Sequence, residues 1–131
     1  VQNHLRINEG ISCIMDYVSK FNETFMHFID DLSNVLNDSE LSMYHTALKS
    51  LALINRTILR DNFHKYVTLK YEEQIMQRDE QFFFEDNFGE FDGAQQIIDK
   101  LRNSWTVLSD ENKDSVWKYF KVLVLLDKKC E

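Results

Sequence analysis

Apolar residues in the first part of the chain return every three or four positions, through Ile11, Ile14, Val18, Phe21, Phe25, Phe28, Ile29, Leu32 and Leu36. Such spacing keeps side chains on one face of a helix, so the pattern predicts an amphipathic helix from just after Asn8 to about Leu36. Asn37-Asp-Ser-Glu40 interrupts it with residues that leave a helix readily and cap the next one. A second helix is expected to bury Leu41, Tyr44, Leu48, Leu51, Ile54 and Ile58. From Asp61 the pattern continues through Phe63, Tyr66, Val67 and Tyr71 to Ile75 with neither Gly nor Pro before it. The second and third segments are therefore either one kinked rod or two helices joined tightly.

Residues 79–93 have another character, with six acids, no Lys or Arg, and five of the ten phenylalanines. Asp92-Gly-Ala-Gln95 can cap a fourth helix that carries Ile97, Ile98, Leu101, Trp105 and Leu108 on one face. Ser109 is expected to cap a fifth, from Asp110 to about Leu126, with Val116, Trp117, Phe120, Leu123 and Val124 inward. The expected fold is an all-α, single-domain bundle of four or five helices spanning residues 1–131, built around Phe21, Phe25, Phe28, Leu48, Leu51, Trp105, Trp117, Phe120 and Leu123.

Composition supports this. The 131 residues include no proline and only three glycines, while 44% are hydrophobic and 13% aromatic. Those values disfavour a turn-rich β fold and supply enough apolar surface to offset chain entropy. The formal net charge of −7 is uneven: residues 1–48 carry −5, residues 49–78 carry +3 and residues 79–131 carry −5. An acidic chain is repelled by phosphate backbones, so nucleic acid is a poor default partner. The alternative is a nucleic-acid-associated protein using Lys49, Arg56, Arg60, Lys65, Lys70 and Arg78 of the basic stretch.

Candidate chemistry is sparse. Bundles hold metal pairs when Glu-x-x-His motifs face one another, but this chain offers only Asp61-Asn-Phe-His64 and Glu23 followed four residues on by His27. No metal site is expected, and a helical metal-binding protein is the lesser alternative. Gly10, Gly89 and Gly93 sit in no phosphate-binding or oxyanion-type turn, so neither catalysis nor a cofactor is expected. Cys13 and Cys130 lie near opposite ends without metal-type spacing, and whether they pair is open. The longest apolar run, Val122 to Leu126, is far short of the roughly 20 residues of a membrane span. A cytoplasmic or nuclear protein is the first expectation. Sequons at Asn22, Asn37 and Asn55 and a first residue other than Met keep a processed, secreted chain open.

Two segments suggest contact surfaces. In Asp79 to Asp92 the alternation of acids and aromatics could dock a basic partner through Phe82, Phe84 or Phe88, although closing one end of the bundle is the favoured use of these rings. Between Val116 and Leu126 nine of eleven residues are apolar and only Lys118 and Lys121 interrupt them. The last helix is then either enclosed or leaves some of Tyr119, Val122 and Leu126 exposed for a protein partner or a second copy of the chain.

Ile98-Asp-Lys-Leu-Arg-Asn-Ser-Trp-Thr-Val-Leu-Ser-Asp-Glu-Asn-Lys113 and then Val116-Trp-Lys-Tyr-Phe-Lys-Val-Leu123 form a recognisable block. It resembles small uncharacterised helical proteins of large nucleocytoplasmic DNA viruses, in which a helix ending in Trp-x-x-Leu-Ser precedes one opening with Asn-Lys and a Trp-Lys-Tyr core. The resemblance implies a viral origin and a non-catalytic role in the virion, its assembly or the infected cell through protein contacts. It carries over no catalytic residue.

Overall fold

The computed structural model describes residues 2–84 and 94–130, with side chains described from residue 16 in the first stretch and 96 in the second. These residues form five helical rods and no strand, as the spacing predicted. Helix α1 is Gln2–Leu36, α2 is Ser39–Ile54 and α3 is Ile58–Phe63. A π turn, His64–Thr68, runs without interruption into α4, Leu69–Met76. A 3-10 turn, Glu80–Phe84, precedes α5, Ala94–Ser104, and another, Trp105–Val107, leads to α6, Asp110–Lys129. The expected capping of α5 by Asp92-Gly-Ala-Gln95 lies outside the described residues.

Helix α1 ends where the sequence places a break. Asn37 adopts a left-handed φ of 51°, a conformation its short polar side chain tolerates. The main-chain N–H of Asp38 then donates to Ser33 O at 3.0 Å and closes the helix end. Asp38 starts α2 by accepting from the N–H of Glu40 at 2.9 Å and from that of Leu41 at 3.4 Å. Lys100 of α5 reaches the same carboxylate at 2.7 Å, so one aspartate serves the turn and ties α5 to it. Ser109 caps α6 as expected, its hydroxyl accepting from Asn112 N–H at 3.1 Å.

The second and third segments are two helices joined tightly, separated by Asn55–Thr57. The break corrects one expected burial. Ile54, at the last turn of α2, is exposed, whereas Ile58, which opens the next helix, is partly buried against the core. The rod that follows buries Leu59, Phe63, Val67 and Ile75, with Tyr71 partly buried between the last two. All five are four residues apart, a spacing that precesses by about 40° per step at 3.6 residues per turn. A straight α-helix would carry the stripe off the core by about 160° over the rod. The π turn, with more residues per turn, absorbs that drift.

Helix α1 lies along both α2 and α6 and buries Val18, Phe21, Phe25, Phe28, Ile29 and Leu32 between them. Helix α6 buries Val116, Trp117, Phe120, Leu123 and Val124 on one stripe. Phe120 meets Phe28 at 5.4 Å between ring centroids and Phe82 at 5.2 Å. Phe83 packs on Trp105 at 4.5 Å and Trp117 at 5.0 Å. Of the nine core residues expected from the pattern, eight are buried and Leu51 is partly so.

The Lys100 ammonium beside Asp38 holds its carboxyl below the ordinary 3.8. A lowered folded-state value means that Asp38 contributes fully above that range and loses its contribution as pH falls through it. Asp38→Ala is expected to cost about 1–2 kcal/mol at neutral pH through loss of the cap. Asp38→Asn keeps the cap and should cost about 0–1 kcal/mol while flattening the acid limb. Urea denaturation of the three proteins at pH 7 and pH 3 checks both.

Candidate functional site: a buried aspartate and the α1–α6 seam

The apolar stripe of α6 continues by its own period to Asp127, which is fully buried. An ion taken from water is stable there only with partners and hydrogen bonds. Arg60 supplies Nε at 2.6 Å from Oδ1 and Nη2 at 3.2 Å from the Asp127 carbonyl. His64, one turn along the same rod, lies with Nδ1 2.9 Å from Oδ2. A carboxylate only accepts, so the imidazole supplies the Nδ1 hydrogen. The cluster joins the C-terminal turn of α6 to the rod at the point where its π turn begins.

The sequence pairing of Asp61 with His64 is thus replaced. His64 turns to α6, while Asp61 accepts from the Thr57 hydroxyl at 2.9 Å. His27 is exposed on α1 and His45 half-buried on α2. Among the described residues, no three His, Cys, Asp or Glu side chains gather where a metal ion would fit. Asp127 escaped sequence reasoning because the expected helix ends at about Leu126, one residue before it. The signal was there: residues 116, 120, 123 and 127 share one face.

The basic stretch is divided: Lys49 and Arg56 line one hollow between α1 and α2 with His27 and His45, and the other four are engaged elsewhere. Arg60 is spent on Asp127, and Arg78 on α6 through Asp114 at 2.7 Å. Lys65 and Lys70 both lie over the ring of Tyr66, at 5.0 and 5.9 Å. Arg56 donates to the Ser19 hydroxyl of α1, and Lys49 is exposed on α2.

The aromatic segment divides. Phe82 is fully buried against Tyr71, Phe83 and Phe120, which makes it a core residue and corrects its candidacy as a docking anchor. The reason is the 3-10 turn, held in place by Arg102 Nε donating to Phe83 O at 2.6 Å and Trp105 Nε1 donating to Glu80 at 2.7 Å. Phe84 emerges from that turn 49% exposed, with the Arg102 guanidinium 5.9 Å from its ring centre. Phe88 lies outside the described residues.

On α6, Val122 is 42% and Leu125 47% exposed, while Tyr119 and Leu126 are partly buried against the core. Leu125 was not among the sequence candidates. Tyr119 stands at the seam with α1, its ring 5.1 Å from that of Phe28 and its hydroxyl donating to Asp31. A hollow of about 310 Å³ opens on one side of this ring, toward Leu32, Val35 and Leu108. Another of about 360 Å³ opens on the other, toward Thr24, Lys118 and Val122. Burial, with the Asp31 hydrogen bond and the charges of Asp31 and Asp30, pushes the Tyr119 phenol up to about 12. The first hollow is therefore apolar in its floor with the Asp31 carboxylate at its edge, while Lys118 lines the second.

No helix among the described residues is long and apolar enough to cross a membrane. Comparison with protein-family models, curated proteins and solved structures finds no match.

Arg60→Met is expected to destabilise the protein by about 3–5 kcal/mol, because it strands a buried carboxylate. Adding Asp127→Leu should recover most of that loss, a non-additivity that denaturation of the single and double variants measures. Tyr119 gives an alkaline signature. Its raised folded-state value stabilises the fold below the ordinary 10, and that contribution is lost as pH rises toward about 12. Tyr119→Phe should lose this part of the alkaline decline, as followed by circular dichroism across the titration.

Proposed function

We propose that the protein is a non-catalytic helical interaction module that binds a protein partner, or a second copy of itself, along the α1–α6 seam. The observation that carries the reading is the outer face of α6, where Val122 stays exposed beside Tyr119 and its two hollows and Leu125 is exposed farther around the same helix. Groups of this kind, apolar at the centre and rimmed by polar residues, are how soluble proteins present contact surfaces. A helix laid in the groove between two helices would use the same geometry. The buried Asp127–Arg60–His64 cluster supports a structural use of the acid–base residues, since each side chain is turned to holding α6 on its neighbour. A virion, assembly or infected-cell setting rests on the resemblance of residues 98–123 alone.

A nucleic-acid role draws less support, because Arg60 and Arg78 are tied to acids of α6. Salt-dependent DNA binding at moderate ionic strength would restore it.

Combined Val122→Glu and Leu125→Glu substitutions place charge on exposed positions and should leave the fold within about 1 kcal/mol of the parent. The double variant is expected to abolish the self-association or partner complex of the native protein. Sedimentation of parent and variant at matched concentration, alone and with material from the native source, reads the outcome. An unchanged complex, or a variant that unfolds, overturns the reading.

A further inference from the structure

The hollow beneath Tyr119 has a definite chemistry. Its floor is apolar, made by Phe28, Leu32, Leu108 and Val116, and the exposed Val35 stands at its edge. Asn34, Asn112 and Ser115 supply uncharged polar groups, and Asp31 is the charged residue among those lining it. Tyr119 takes Oδ2 of that carboxylate, which leaves Oδ1 as an acceptor on an exposed side chain. Asp30, the exposed neighbour of Asp31 on α1, adds a second carboxylate on this flank. Lys118, which lines the second hollow, is paired with Asp114 at 2.9 Å. At about 310 Å³ the hollow sits at the small end of the range for metabolite sites, roughly 300–1,000 Å³. That size suits a single large side chain.

Resting on the α1–α6 docking reading, we propose that this hollow is the anchor pocket for a basic segment of a protein partner. It receives one leucine- or phenylalanine-sized side chain, and a lysine or arginine next to that anchor pairs with Asp31. Two features set the selectivity. The floor rewards an apolar anchor by removing it from water, and the carboxylates at the mouth favour cationic neighbours and repel acidic ones. An acidic chain that meets a basic partner is also steered to it before contact.

The test uses two short helical peptides of identical length, each with Leu at positions i and i+4, flanked by lysines in one and by glutamates in the other. Each is titrated into the full chain labelled with nitrogen-15, and amide and side-chain shifts of Asn34, Asn112 and Ser115 are followed. The lysine peptide is expected to bind at least about tenfold more tightly, with the advantage shrinking as salt rises. Asp31→Asn should reduce that advantage to less than about threefold while the spectrum stays that of a folded protein. Val35→Lys, at an exposed position, should weaken the lysine peptide further without unfolding. Equal binding of the two peptides at the seam overturns the charge selection and leaves the docking reading intact. If neither binds while the Val122→Glu, Leu125→Glu variant still disrupts the native complex, the anchor pocket is wrong and the docking face stands. If neither binds and that variant changes nothing, both fall.

Discussion

Helix α6 buries an apolar stripe from Val116 to Val124, and its position is set at the end where that stripe stops. Asp127 brings a carboxylate into the core, and the chain can tolerate it only where Arg60 and His64 both reach it. Those two donors sit one turn apart on the rod, so they define an orientation as well as a point. Moving α6 by one residue would swing Asp127 by about 100° and leave donors and acceptor unpaired. The cluster thus favours one register of α6 on the rod, because any other leaves a buried carboxylate without its donors.

With α6 pinned, the aromatic core follows. Phe120 meets α1 through Phe28 and the 3-10 turn through Phe82, and Trp117 meets Phe83. The turn from Glu80 to Phe84 is held by side chains of α5 and its end, Arg102 and Trp105. Its rings fill the end of the bundle, while Arg78 crosses to Asp114 from a left-handed φ of 55°. A bulky residue held in that conformation costs on the order of 1–2 kcal/mol, which the geometry of the α4 exit imposes.

The same arrangement leaves a remainder on α6. Its inner stripe is used by α1, the rod and the 3-10 turn, and the next residues around the helix, Tyr119, Val122, Leu125 and Leu126, fall at the seam or beyond it. Because α1 covers only one flank, the surface there has apolar floors without a lid. The acids of α1 that follow its buried stripe, Asp30 and Asp31, give that surface its sign. The proposed docking face occupies what packing leaves uncovered.

The identity of the helices was written in the chain. Spacing of three and four placed the long helices, Asp38 and Ser109 capped them where their side chains could reach free N–H groups, and eight of nine expected core residues are buried. Spacing is a property measured along one helix, so it holds whatever that helix packs against. Three things lay beyond it. That His64 would leave Asp61 for Asp127, across 63 residues of sequence, depends on which helices become neighbours. That Phe82 is enclosed while Phe84 emerges was decided by a short 3-10 turn, whose few positions carry no readable period. Which apolar residues of α6 stay outside was settled by the partners that cover the others. In each case burial is a relation between segments distant in sequence, and only the closed tertiary structure supplies the second member.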